Sequence, residues 1–452
     1  MLKEVQWKNY KALGNLNLYF CKPDGSAYST IILAGENGTG KTTILETIGQ
    51  FLIGRSIEPF EYMEYDANNK SFRIEPIVEY ANFGFHTRKE ATQIQVKEIR
   101  TNHNNNPEIV KKDAEDIRSY GCVYSSAKSK FDTMDIQNVT SQQIDTTQYS
   151  FDDNNDFTII KQLLIDIATQ DSVTFANKAR NNDKTRWTDF EPQSKMYRFQ
   201  SAFNNFFDHV KYDSIDGTAG QQRVIFKKHN HTISIDDLST GEKQIVFRGA
   251  YLLRNIGKMD GGIVLIDEPE LSMHPKWQEK ILSFYKNLFI KNNEQKAQLI
   301  IATHSEYVIR EALKDAENTL VIILKNENGR IISKPSSAPY ILPIITAAEV
   351  NFQAFNIYSI DYHIQLYGYM QSLAGKSHIQ DMERYLSPLA LREGLPNKNS
   401  TRDGRTITES LPTYIRNAID HPDNNSRNYT DTELKQSIDF LIRHIMTLRH
   451  SS

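Results

Sequence analysis

The sequence predicts an α/β fold: a buried parallel sheet that carries the chemistry, an inserted helical arm, and a mainly helical C-terminal domain. Three observations predict it. The run IILAGENGTGKTTILETIGQFL joins a β-branched strand, Ser29 to Ala34, through a glycine-rich turn to an apolar-periodic helix from Thr43. Two further apolar runs, Gly262-Ile-Val-Leu-Ile-Asp267 and Gln298-Leu-Ile-Ile-Ala-Thr303, each end in a polar cluster. Continuous β-branched runs of this kind are the form of strands buried on both faces of a parallel sheet.

The glycine-rich turn, Gly35 to Thr42, has the strand and helix that make a phosphate-binding loop credible. Gly35, Gly38 and Gly40 let the backbone curl so that successive N–H groups point at phosphates, and the helix adds its positive dipole end. Lys41 is placed to reach the β- and γ-phosphates of ATP and the Thr42 hydroxyl to sit on Mg²⁺. Asn37 and Thr43 complete the nucleotide-binding set. Ligands gather at the carboxyl ends of parallel strands, so Asp267 is placed to hold Mg²⁺ through water. Glu268, one residue on, can orient and polarise the attacking water. The blander reading, two acids in a solvated loop, fits poorly after five apolar residues.

Upstream, Leu238-Ser239-Thr240-Gly241-Glu242-Lys243-Gln244 leads into a helical run, and a serine, a glycine and a fresh helix N-terminus make a second anion site. An ordinary capped helix would read the same way. A histidine after a strand is usually a satisfied surface group, but His304 falls where a γ-phosphate sensor would sit.

Taken in order, the phosphate loop, LSTGEKQ, IVLIDEPE and IIATHS resemble the ATP-binding-cassette class of ATPases, in particular the soluble SMC/RecF/OLD-like branch. Glu268-Pro-Glu270-Leu-Ser-Met-His274-Pro275 has the form of that branch rather than of membrane transporters. The resemblance implies that Ser239 and Gly241 complete the nucleotide site of an opposite subunit, two ATPs being sandwiched between two chains. It also implies that VQWKNYKALGNLNLYF is an opening β-hairpin placing Asn9, Tyr10 and Lys11 near the adenine edge. Residues 1–54 and 236–330 are well covered. The glutamine loop is the departure: Gln142, Gln143 and Gln148 lack a convincing preceding strand, and Tyr120 to Lys130 is the alternative strand and loop.

At 452 residues the chain has room for two to three domains, and 39% hydrophobic with 24% charged residues describes a globular chain with ample core. A net charge of −3 argues against coating nucleic acid through bulk charge, though not against a local basic groove. Cys21 and Cys122 form neither a metal cluster nor a disulfide framework, so a reduced, cytoplasmic protein is expected. No apolar stretch approaches the ~18–20 residues of a membrane span, and the amino terminus reads as a strand.

The expected organisation is an ATPase core of two lobes, 1–54 and 236–334, with a strand-rich part plus inserted helical arm at 55–235. A helical domain follows at 335–452. The arm sustains no heptads, which excludes a long coiled-coil rod. The core closes with a hairpin turning at Asn326 to Gly329. The tail carries an aromatic stripe from Phe352 to Tyr369, expected to pack on the parent domain, and a polar loop between Lys398 and Glu409. Arg416 and His421 resemble the Arg-x4-6-His motif of HEPN domains, helical modules that cleave RNA as dimers or serve only to dimerise. Arg416 pairing with Asp420 or Asp423 is the structural alternative.

Size, the DEPELSMHP block and the tail most resemble ATPase subunits of bacterial anti-phage systems of the Septu type, with OLD- and PARIS-related kin. The resemblance implies a sensor or regulator that dimerises on ATP, or assembles further, and controls a nuclease. No acidic cluster for a TOPRIM nuclease follows the histidine strand, so the nuclease is expected on a partner chain such as an HNH protein, or in the HEPN-like tail. A RecF-like clamp on nucleic acid is the other reading.

Overall fold

The computed structural model describes all residues save 128–132, 141, 143, 145–148, 152–156, 182–185, 218–220, 230, 255–259, 339, 403–404, 422–427 and 452. It divides into two compact units, Met1–Ser333 and Lys334–Ser452.

In the first unit, Asn17–Tyr19 and Leu2–Trp7 join Phe60–Ala67, Lys70–Pro76, His86–Glu90 and Val96–Ile99 in one six-stranded antiparallel sheet, in that order. Apolar residues meet on its inner face, Val5 opposite Met63 and Met63 opposite Ile74, as the period-2 pleat requires. The second sheet has seven strands, ordered Arg330–Pro335, Thr319–Glu327, Thr30–Gly35, Gln298–Thr303, Ile263–Asp267, Cys122–Ser125 and Tyr149–Phe151. From Thr319–Glu327 onward every neighbour is parallel. The helix Lys41–Leu52 buries Ile44, Leu45, Ile48 and Phe51 in the core shared by both sheets. Gln298 stitches the sheets together: its amide accepts from Leu2 N (2.7 Å) and donates to the carbonyls of Leu2 and Tyr28 (both 2.9 Å).

The span 55–235 therefore feeds both core sheets, with four strands in the antiparallel one and two in the parallel one. Its remainder forms the helices Phe157–Asn181 and Lys195–Phe206 and a small antiparallel sheet, Val210–Asp216, Arg223–Lys228 and His231–Ser234. That small sheet was not legible in the sequence.

The second unit holds the helices Ala347–Phe355, Ile360–Leu373, Ile379–Arg392, Leu411–Asp420 and Asp431–Ser451. The aromatic stripe packs inside this unit: Tyr362 and Tyr367 are buried in its own core, and Phe352 stacks on Tyr362 at 5.0 Å. The expected polar loop is instead a hairpin, Asn397–Arg402 with Arg405–Ser410. Thr401 faces Thr406 and Ser400 faces Ile407 across the pair, and cross-strand pairs with β-branched or hydroxyl side chains stabilise a ladder. Among the described residues no helix is long and apolar enough to cross a membrane.

Candidate functional site

Parallel register brings the strand ends together. Ala34 pairs with Thr303, Ala302 with Asp267, and Ile266 with Ser125. The phosphate loop leaves this edge and turns through Gly38 and Gly40 at φ of +80° and +81°. Gly35 is required for another reason: a Cβ there would lie 2.4 Å from the Leu324 carbonyl of the adjacent strand. A Cβ on Gly40 would likewise meet Leu13 at 2.4 Å, so the turn carrying Asn9, Tyr10 and Lys11 lies against the loop. Glu36, Asn37 and Gly38 are exposed at its tip, and Thr43 is half-buried behind Thr42.

Lys41 begins the helix and folds back to donate to the carbonyls of Gly35 (2.7 Å) and Glu36 (2.9 Å). Burial pulls its amine down to about 8, against the opposing carboxylates of Glu268, Asp267 and Glu270. Thr42 Oγ1 donates to Asp267 Oδ2 at 2.8 Å. The other carboxylate oxygen, Oδ1, is buried with no hydrogen-bond partner. Burial pushes the Asp267 carboxyl up to about 6, which the Thr42 hydrogen bond only partly offsets. A buried carboxylate oxygen without a donor, beside a hydroxyl, is a hard-oxygen pair of the type Mg²⁺ takes, so the residues fit the ion.

Glu268 follows at φ +46°, a left-handed conformation that costs a non-glycine residue energy and turns its side chain out of the strand direction. Its carboxylate lies 3.2 Å from His304 Nε2, so the expected water-polarising and sensing groups touch. Burial, with the Lys41 charge, pulls the His304 imidazole down, and Glu268 opposes this.

Sequence reasoning missed two side chains that hold this arrangement. Glu270, buried, accepts from Thr303 Oγ1 (2.7 Å), His304 N (2.8 Å) and Ser305 N (3.1 Å), tying the Asp267 strand end to the His304 strand end. Arg248, on the helix Thr240–Leu253, donates to the Glu268 carbonyl at 3.3 Å and to the Ser126 carbonyl at 2.5 Å. The spacing of the second glutamate in Asp267-Glu-Pro-Glu270 was a signal for the first. An arginine in an otherwise apolar helix face was the signal for the second.

Ser239 caps the helix Thr240–Leu253, and Glu242 completes the capping box. Gly241 is required by close approach, since a Cβ would lie 2.9 Å from the Ser272 carbonyl and 3.1 Å from Trp277.

Of the glutamine-loop candidates, Gln143 and Gln148 lie outside the described residues. Gln142 is held to the arm, its N–H donating to Asp166 at 3.3 Å and its carbonyl accepting from Gln170 at 3.0 Å. Cys122–Ser125 is a true core strand beside Ile263–Asp267, while Lys128 and Lys130 lie outside the described residues. In the tail, Arg416 bridges Asp420 at 2.5 Å and donates to Asn417 at 2.8 Å. His421 is exposed at the end of the helix Leu411–Asp420. The alternative of an Arg416–Asp420 pair is the one realised.

A phosphate loop, an aspartate bonded to its threonine, and a glutamate–histidine pair on adjacent parallel strand ends define a P-loop ATPase. The chain belongs to the family described as "AAA domain, putative AbiEii toxin, Type IV TA system", matched over residues 31–310. It is similar to the Septu protein PtuA of Bacillus mycoides (strain KBAB4), 24% identical over 346 residues, covering 72% of this chain and 41% of that protein. It thus spans under half the length of that relative. The Septu protein PtuA of Bacillus thuringiensis is 25% identical over 351 residues, covering 73% of this chain and 78% of that one. Among solved structures, an Smc head bound to the C-terminal winged-helix domain of ScpA aligns at 14% identity and a TM-score of 0.43, over 74% of this chain and 97% of that one.

Proposed function

We propose that this chain is the ATP-binding and hydrolysing regulator of an anti-phage defence system, two copies closing around two ATPs to control a separate nuclease subunit, such as an HNH protein. The observation that carries the nucleotide chemistry is the orphaned Asp267 Oδ1 beside Thr42, at the mouth of the phosphate loop. The PtuA relatives support the defence role.

Lys41 exchanges the loop carbonyls of Gly35 and Glu36 for the β- and γ-phosphates. Thr42 and Asp267 would hold Mg²⁺, which neutralises phosphate charge as the leaving group departs. Glu268 accepts a proton from the attacking water, and His304, 3.2 Å away, orients the carboxylate and contacts the γ-phosphate. Glu270 keeps the two strand ends in register during that step. Ser239 and Gly241 meet the γ-phosphate held by the other copy.

Glu268→Gln keeps the shape and removes the base, so ATP stays bound and a closed dimer accumulates. Light scattering with Mg·ATP reads this directly. Parent-like hydrolysis by the variant overturns Glu268 as the base, and a variant that stays monomeric with ATP bound overturns the sandwich.

A further inference from the structure

The signature hydroxyl is expected to serve a phosphate, yet in this chain it is held elsewhere. Ser239 Oγ donates to Glu242 Oε2 at 2.9 Å, and Ser239 N donates to the same oxygen at 2.8 Å. A helix cap needs no more than these two residues. Glu242 has more. It is 1% exposed, and Lys228 Nζ (2.9 Å) and His209 Nε2 (3.2 Å) both close on its carboxylate. Burial opposes the charge on Glu242, but the hydrogen bonds from Lys228 and Ser239 overcome it and hold the carboxyl below its usual range.

Both basic groups come from one end of the small antiparallel sheet, Lys228 on its central strand and His209 just before its first. Lys228 ends the strand Arg223–Lys228 and pairs with Val210, the residue after His209. The His209 ring stacks on His229 (5.1 Å, 16° between planes) and on Trp277 (6.1 Å, 12°). Trp277 is also the ring that a Cβ on Gly241 would strike. Two paths therefore run from this end of the sheet to the signature: through Glu242 to Ser239, and through Trp277 to Gly241.

We propose that Glu242 is a positioning residue: clamped by Lys228 and His209, it sets the orientation of Ser239, so that the small sheet 210–234 governs the nucleotide site of the opposing copy. This rests on the reading in which the signature acts in trans. The physical basis is competition for one hydroxyl. A buried carboxylate that loses a cation leans harder on its remaining donors. Without Lys228, His209 and the N–H and O–H of Ser239 are the donors left to that carboxylate, so it holds the Ser239 hydroxyl more tightly and away from phosphate.

The test uses the full chain. The Lys228 side chain is 31% exposed, so methionine fits in its place, and circular dichroism and chemical denaturation check that Lys228→Met stays folded under the assay conditions. It should lower kcat about tenfold while binding of a fluorescent ATP analogue stays within about twofold, because the phosphate loop of the same chain is untouched. Lys228→Arg should restore turnover. Mixing Lys228→Met with Lys41→Ala should recover hydrolysis, since one composite site then joins an intact loop to an intact signature. Ser239→Arg mixed with Lys41→Ala is the control. If the control recovers and the Lys228→Met mixture does not, or if nucleotide binding falls with kcat, the positioning role is overturned and trans action survives. Parent-like turnover by Lys228→Met overturns it as well. If neither mixture recovers, trans action fails and the positioning role fails with it.

Discussion

The units Met1–Ser333 and Lys334–Ser452 both bury polar side chains, and they spend them differently. In the second unit most partners lie on its own packed helices. Glu349 accepts from the N–H groups of Ile341 (2.7 Å) and Leu342 (3.1 Å), Tyr367 pairs with Thr413 at 3.1 Å, and His363 Nε2 pairs with Ser437 at 2.9 Å while its Nδ1 is buried without a partner. The last two fix helices to one another, and the first ties the helix Ala347–Phe355 to the segment before it. In the first unit Asp267 and Glu270 each keep one buried carboxylate oxygen without a partner, beside a lysine drawn onto loop carbonyls and a glutamate at φ +46°. Unsatisfied buried oxygens cost about 1–3 kcal/mol apiece. What sets the first unit apart is that its two orphaned carboxylate oxygens sit together at the strand ends beside the phosphate loop, where a cationic ligand would fill the valence. A two-residue motif such as Arg416 and His421 carries no such mark, and Arg416 is bonded to its own helix.

The sharpest break in that comparison is Lys41→Ala. It should remove the β- and γ-phosphate contact and abolish ATP binding or turnover, at least about a hundredfold in kcat/KM. Isothermal titration and a phosphate-release assay check this, and parent-like behaviour refutes the ATPase site.

Next in size is Glu270→Ala. It removes the acceptor of the Thr303 hydroxyl and of the His304 N–H, while the Ser305 N–H keeps Thr303 Oγ1 at 3.0 Å, and should cost roughly 1–3 kcal/mol of stability as well as activity. Chemical denaturation measures the first. A loss of activity with unchanged stability would mean that Glu270 touches substrate rather than bracing the strand ends.

In the second unit a substitution should move stability and not turnover. Burial pulls His363 down to about 3 from its ordinary 6.5. The unfolded chain then binds more protons than the folded one between those values, so stability is lost as pH falls through 6.5 and continues to fall toward 3. Going from pH 7 to pH 5 should cost about 2 kcal/mol through this group. His363→Gln should flatten that slope, read by hydrogen exchange across 334–452, while ATP hydrolysis stays as in the parent. An unchanged slope would place the acid sensitivity elsewhere.

The smallest effect is expected from Arg416→Ala. An i,i+4 pair of partly exposed groups is worth roughly 0.5 kcal/mol or less. ATP hydrolysis should persist, and phage protection should persist with it if the tail is a docking module. Lost protection with intact hydrolysis, reproduced by His421→Ala, would revive a nucleolytic tail.

Much of the site was legible because its elements are local. Strand, glycine turn and helix are contiguous from Thr30 to Leu52, and the runs ending at Asp267 and Thr303 announce buried parallel strands by composition. The hairpin at 397–410 was not read, because its polar β-branched alternation looks like a loop until a partner strand is supplied. The small sheet 210–234 was hidden for the same reason, and Cys122–Ser125 is only four residues long.

By itself, then, the sequence determined the local elements of the site: the glycine turn between strand and helix, and the apolar strands ending at Asp267 and Thr303, follow from residue order along single strands and turns. Tertiary structure alone decided what braces and governs them. Glu270 spans two strands, Arg248 joins a helix to two loops, and Lys228 and His209 close on Glu242 from a separate sheet. Those contacts link residues far apart in the chain, and no local periodicity encodes a distance that only folding brings below 3.5 Å.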